Sequence, residues 1–244
     1  MRTIIAFLAV LFFFIFSIPM LSICWLIGLV NMKARDFLTY NCMRIAFAII
    51  LFICGVKLTV KGKEKIPKNE PVLYVGNHRS AFDIICTYKE FVGYTAFISK
   101  LEWKKIPVLS HWISIFHGFF LDRDNVKEGL KVILGAIDLV KGGTYSVCIF
   151  PEGTRSHTDE MLPFKEGSMK IAVKSGCPII PMALLNTDDV FEKHMPWIKP
   201  TKVTLVFGDP IYIDKLEKEE LKFLGAKTRD IIQGMIDEEK KISK

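Results

Sequence analysis

The distribution of apolar positions divides the chain near residue 57. Residues 4–30, IIAFLAVLFFFIFSIPMLSICWLIGLV, carry no charge, and a second apolar run, IAFAIILFICGV at 45–56, follows the mixed stretch NMKARDFLTYNCMR. Beyond residue 57 short apolar runs alternate with helical periods. Strands are expected at 57–61, 71–76, 95–99, 118–122, 145–150, 178–185 and 202–208. Helices are expected at 81–91, 126–141, 165–175 and 217–239. The clearest is 126–141, where Val126, Leu130, Ile133, Leu134 and Ile137 form one apolar face and Gly142-Gly143 end it. Such alternation predicts an α/β domain around a mixed, partly parallel sheet flanked by helices. The prolines at 178 and 181 suit a strand start or an edge strand.

The apolar segment at 4–30 is too long for the core of a signal peptide and has no evident cleavage site. Pro19 interrupts it, and the second run is short for a membrane span. Basic residues flank that second run on both sides, which does not favour its crossing. Residues 1–56 are therefore expected to be an N-terminal membrane-embedded helical anchor, either a hairpin in one leaflet or a true span, followed by a domain at 57–244.

The net charge is +7, and residues 1–60 hold five basic residues against the single acid Asp36. That concentration suits anionic headgroups, so the expected partners are membrane lipids rather than nucleic acid. The six cysteines are scattered without a C-x2-C pair and read as buried apolar residues. No H-E-x-x-H, P-loop or G-x-G-x-x-G occurs, so neither a metal nor a nucleotide-fold cofactor is expected.

Chemistry concentrates where strands run into loops. YVGNHRSAFD at 74–83 puts His78 in a strand-to-helix turn and Asp83 in the first helical turn. Within one helix these positions would point about 140° apart, but the turn lets Asp83 fold back toward the imidazole. The same residues also fit a cap: Ser80 and Asp83 form an S-x-x-D box, and an acid suits a helix N-terminus. YSVCIFPEGTRS at 145–156 repeats the design, with Gly153 for a close turn and Arg155 offering a planar fork suited to phosphate. HGFFLDRD at 117–124 places Arg123 at another strand end.

In this order the blocks resemble the glycerolipid acyltransferase family, in particular its bacterial 1-acyl-glycerol-3-phosphate acyltransferases. N-H-x4-D is Asn77, His78 and Asp83; F-P-E-G-T-R-S is Phe150 to Ser156; the proline-bearing strand is Cys177 to Met182. One block departs: where the family usually has glycine six positions before the motif arginine, here Arg123, this chain has His117. The resemblance implies acyl transfer from acyl-CoA or acyl-carrier protein to the free hydroxyl of lysophosphatidic acid, forming phosphatidic acid, without a further cofactor. It implies His78 and Asp83 as the catalytic pair, and Arg123, Glu152, Gly153, Thr154 and Arg155 as substrate-binding. It also implies a cell inner membrane location with the catalytic domain facing the cytoplasm. Three alternatives remain: another acceptor such as glycerol 3-phosphate or a different lysophospholipid, a thioesterase, or a non-catalytic lipid-binding membrane protein.

Overall fold

The computed structural model describes residues 1–156, 158 and 160–242. Two long helices, α1 (Arg2–Val30) and α2 (Met32–Cys54), open the chain. Seven strands follow: β1 (Lys57–Lys61), β2 (Leu73–Gly76), β3 (Tyr94–Lys100), β4 (Phe119–Leu121), β5 (Tyr145–Ile149), β6 (Ile179–Leu185) and β7 (Lys202–Phe207). Between and after them lie α3 (Phe82–Tyr88), α4 (Pro107–Ile115), α5 (Val126–Lys141), α6 (Lys170–Ser175) and α7 (Leu224–Ile242).

The strands form one sheet in the order β1-β7-β6-β2-β5-β3-β4. Every neighbouring pair is parallel except β6 with β7. The central strands are buried on both faces, so they read as unbroken apolar runs. Their side chains alternate: Leu73, Val75, Val147 and Ile149 pack on the α5–α7 side, whereas Tyr74, Cys148, Ile180 and Met182 face α3 and the end of α2. Because β2, β3, β4, β5 and β6 run in one direction, the segments after each gather along a single sheet edge.

Three expectations change. The charged stretch between the apolar runs is itself helical and belongs to α2. Asn31 caps Ala34 N–H at 3.0 Å, α2 starts at once, and Gly55 in the left-handed region (φ 71°) ends it. The second helix is thus 23 residues, not a 12-residue apolar run, and Pro19 lies inside a continuous α1. Pro178 does stand just before the start of β6, but β6 is not an edge: it lies between β7 and β2. Pro181 is tolerated because its carbonyl accepts from Gly208 N–H at 2.8 Å. Its nitrogen faces that same side, where β7 has already ended at Phe207. Finally α4, with Pro107 at its first turn, was not expected.

The helical pair lies along the domain rather than projecting from it. At the α1–α2 turn, buried Asp36 accepts from the Tyr145 hydroxyl, and Arg35 Nη2 reaches His117 Nε2 at 3.0 Å. Midway, Tyr40 donates to Phe91 O at 3.1 Å and Arg44 to Lys89 O at 2.8 Å. At the open end Ile198 N–H donates to Thr3 Oγ1 at 3.0 Å. The opposite faces of both helices stay exposed and strongly apolar, from Ile4, Phe7 and Phe12 to Trp25 and Phe52.

Candidate active site

The carboxyl end of β2 delivers Asn77 and His78 to the sheet edge. Asn77 is buried and its amide continues the strand pairing by side chain: Nδ2 donates to Leu184 O at 2.9 Å, and Oδ1 accepts from Leu184 N–H at 2.8 Å. This pins the turn to β6 at the position where His78 leaves the sheet.

His78 Nδ1 lies 2.7 Å from Asp83 Oδ2. The same oxygen accepts the backbone N–H of Arg79 at 2.7 Å and of Ser80 at 2.8 Å. Asp83 therefore makes the return bond of a capping box and also holds the imidazole, but the box is incomplete: Ser80 Oγ accepts from Phe82 N–H at 2.9 Å instead of from Asp83 N–H. Its other oxygen, Oδ1, is buried with no hydrogen bond to any described residue. Since a carboxylate only accepts, the neutral imidazole carries its proton on Nδ1, toward Asp83, and leaves the Nε2 lone pair free. Three more contacts fix the histidine. Its ring stacks on Phe150 (centroids 4.4 Å apart), its N–H donates to Glu152 Oε1 at 2.6 Å, and its carbonyl accepts from Ser156 N–H at 2.9 Å.

The loop after β5 is adjacent because β5 pairs with β2, Val75 opposite Ile149. Glu152 is buried and bridges two segments, its Oε2 accepting from Leu162 N–H at 2.9 Å. Burial raises its pKa, while the N–H groups of His78 and Leu162 counteract part of that rise. Gly153 adopts φ 76°, which a Cβ would oppose. Thr154 is exposed, and Arg155 Nη1 lies 3.2 Å from Glu192 Oε1.

Arg123 follows β4 and shares an electrostatic neighbourhood with Arg155 and Glu102. Burial lowers its pKa most, and Arg155 adds to the effect against the opposing Glu102. Its Nε is buried with no hydrogen bond to any described residue. A guanidinium whose Nε is buried without a partner among the described residues is suited to an anion.

Two acids absent from the sequence reading organise this edge. Asp188 Oδ2 accepts from Arg79 Nε and Nη2 at 3.0 and 2.6 Å. Glu192 accepts from Ser80 Oγ at 2.6 Å and Ala81 N–H at 2.8 Å as well as from Arg155. Both lie more than 100 residues from the His78 turn, where no local spacing could reveal them. A polar cavity of about 230 Å³ opens behind the turn, lined in part by Asn77, Arg79, Glu152 and Lys193. The thiols of Cys86 and Cys148 are raised well above their usual range, by burial first and then by Asp83, which removes them as nucleophiles.

A family model described as Acyltransferase matches residues 57–185, which contain the His78, Arg123 and Arg155 segments. The chain belongs to the acyltransferase family. The 1-acyl-sn-glycerol-3-phosphate acyltransferase of Borreliella burgdorferi is 31% identical over 195 residues, 80% of this chain and 78% of that one. The Saccharomyces cerevisiae protein of the same name is 27% identical over 210 residues, 85% of this acyltransferase and 67% of the relative. In fold, this acyltransferase is similar to the crystal structure of the 1-acyl-sn-glycerophosphate (LPA) acyltransferase PlsC from Thermotoga maritima. The TM-score is 0.79 at 27% identity, covering 98% of each chain, so the apolar helical pair falls within the shared architecture.

Proposed function

We propose that this acyltransferase moves an acyl group from a thioester, acyl-CoA or acyl-carrier protein, to the free hydroxyl of 1-acyl-glycerol 3-phosphate. The observation that carries the reading is the 2.7 Å His78–Asp83 contact, which orients Nε2 as a base at the sheet edge. An alcohol attacks a thioester slowly unless its proton leaves as the bond forms. His78 Nε2 takes that proton while the hydroxyl oxygen bonds to the thioester carbon, contributing about 10²–10⁴ in rate. Asp83 holds the tautomer and stabilises the imidazolium, as in the histidine–aspartate half of a serine-hydrolase triad. The C–S bond then breaks and the thiolate takes the proton back from His78. The substrate hydroxyl occupies the role of an enzyme nucleophile, so no acyl-enzyme forms.

Arg123 and Arg155 hold the acceptor phosphate, supported by the buried, unbonded Nε of Arg123 and by the charge of the named relatives' substrate. Glu152, Gly153 and Thr154 shape the loop that carries Arg155. The acyl donor brings its own reactive group and no metal is required by this route.

The helical pair anchors the enzyme to the cytoplasmic face of the cell membrane as a hairpin in one leaflet. Contacts with the domain at its turn, middle and open end support the hairpin over a span. At about 44 Å, a crossing α1 would carry the packed domain into the hydrocarbon.

The deciding assay follows thiol release from acyl-CoA with and without lysophosphatidate. Release that requires the acceptor and falls at least ~10²-fold in His78→Ala supports the reading. Release without acceptor would make the protein a thioesterase. No release from either acyl-CoA or acyl-carrier protein, with any lysolipid, would leave a lipid-binding protein.

A further inference from the structure

Two short segments outside the helical pair share an unusual surface. Leu101–Lys105 forms a 3₁₀ helix running directly into α4, and all of residues 101–107 are exposed. It presents Leu101, Trp103 and Ile106 to solvent, with Trp103 39% exposed. Trp103 lies within the turn and Ile106 ends it, and both are exposed. Lys100, Lys104 and Lys105 surround it, and Glu102 pairs with Lys100 at 2.5 Å. The second segment, HMPWIKPTK at 194–202, exposes Met195 and Trp197, the latter by 62%, beside Lys199 and Lys202 and no acid.

Single exposed apolar residues need no explanation, but paired ones beside lysines in two separate loops do. Both loops are linked to α1. The first is tied to it through α4, whose Trp112 stacks with Phe13 at 6.1 Å; the second through the Ile198–Thr3 bond. An amphipathic ring with cationic neighbours is the composition of a membrane–water boundary, and lysines complement anionic headgroups.

We infer that residues 100–106 and 194–202 are a rim that rests on an anionic lipid surface at headgroup depth, on either side of the leaflet-embedded hairpin. The hairpin supplies hydrophobic insertion; the rim fixes how the domain is tilted over the surface. Because β3 leads into the first rim segment and pairs with β4, that tilt governs where Arg123 meets the headgroup layer. The inference rests on the hairpin reading, and the test separates the two.

The full chain is reconstituted into vesicles of phosphatidylcholine with anionic phosphatidylglycerol. Versions keep buried Trp112 together with one of Trp25, Trp103 or Trp197, the other exposed tryptophans being changed to Phe; a Trp112-only protein gives the baseline. Lipids brominated high or low on the acyl chain then report depth. The hairpin predicts deep quenching at Trp25. The rim predicts shallow quenching at both Trp103 and Trp197, with the Trp103 signal weakened in Lys104→Gln/Lys105→Gln as the apparent affinity of that segment falls about fivefold per lysine. Quenching at Trp25 with none at Trp103 and Trp197 overturns the rim and keeps the hairpin. Absence of quenching at all three overturns both. A concentration-dependent emission shift at Trp103 or Trp197 without quenching assigns these loops to contacts between copies and also overturns the inference.

Discussion

Arg35, in the second apolar helix, and His117, just before β4, meet at 3.0 Å although 82 residues separate them. His117 is held at φ 57°, a conformation costly for a side chain with a Cβ, and it occupies the position where the family usually has glycine. The imidazole joins Arg35 and Tyr145 in a half-buried polar cluster around buried Asp36 that secures the helical pair. Burial, then the bond to Asp36, keeps the Tyr145 hydroxyl protonated as a donor. His117→Ala should lower stability by about 1–2 kcal/mol, because contact is lost and strain stays. His117→Gly, although smaller, should be less damaging, since relief of the left-handed backbone returns about 1 kcal/mol. Thermal melts of both variants in detergent check the order; Ala above Gly would show that the turn carries no strain.

Asp83→Asn separates holding the histidine from capping the helix. An amide oxygen still accepts from Arg79 and Ser80 N–H, but its NH₂ falls where Oδ1 is buried without a partner, or else faces the imidazole as a donor. Turnover should drop about 10²-fold or more, with a stability loss of about 1–3 kcal/mol. A folded variant with near-normal turnover would reduce Asp83 to a cap.

Arg155→Ala should act on the acceptor. A charge-assisted bond to phosphate contributes ~1.5–3 kcal/mol, equivalent to about 10–100-fold in kcat/KM for lysophosphatidate. Because Glu192 shares Arg155 with Ser80 and Ala81, Glu192→Gln should loosen the same arginine and give a smaller loss of the same kind. Donor KM should be nearly unchanged in both; a donor effect instead would put Arg155 on the donor's phosphates.

The strands were legible because each central one is buried on both faces and so appears as an apolar run. The His78–Asp83 pair was legible because the turn and the acid are local. What was hidden depends on distant partners. Lys33, Arg35 and Arg44 read as the basic flank of a short apolar run, yet they lie inside α2, where Asp36 and Arg44 are satisfied by Tyr145 and Lys89 O, far along the chain. Pro181 signalled an edge, and only the early end of β7 makes it tolerable inside the sheet. Asp188 and Glu192 look like an ordinary solvated acidic stretch until the fold places them against Arg79, Ser80 and Arg155. Pro107 was a usable signal for α4, since proline favours the first helical turn.

Glu152 gives a pH dependence whose sign follows from its raised pKa. In the folded state protonation is favoured over the unfolded chain, so its contribution is fully present below the unfolded carboxyl pKa. It is lost as pH rises through the folded pKa. Glu152→Gln removes the titration. The variant also loses one bond, since Gln can accept His78 N–H but presents NH₂ to Leu162 N–H. The stability advantage of wild type over Glu152→Gln should therefore shrink between pH 4 and pH 7, measured by melting both proteins across that range. A gap that widens with pH would mean the two N–H groups outweigh burial and hold the carboxylate ionised.

Topology gives the last test. In the hairpin arrangement Ile5 and Lys33 lie on the same side of the membrane as His78, because both ends of the pair are bonded to the domain. Ile5→Cys and Lys33→Cys proteins in sealed cells are treated with an impermeant thiol reagent, and labelling is read peptide by peptide. Neither position should label from outside, and Lys33→Cys should label after permeabilisation. Outside labelling of Ile5→Cys would require α1 to cross, breaking the Thr3–Ile198 bond and stripping α1 from α4. The same contacts predict that a chain starting at residue 57 aggregates: without the helices, Phe82, Phe91, Tyr88 and Trp112 lose the surfaces that bury them. A monomeric, fully active truncated protein on vesicles would show that the hairpin is neither part of the folded core nor needed for access to the lysolipid.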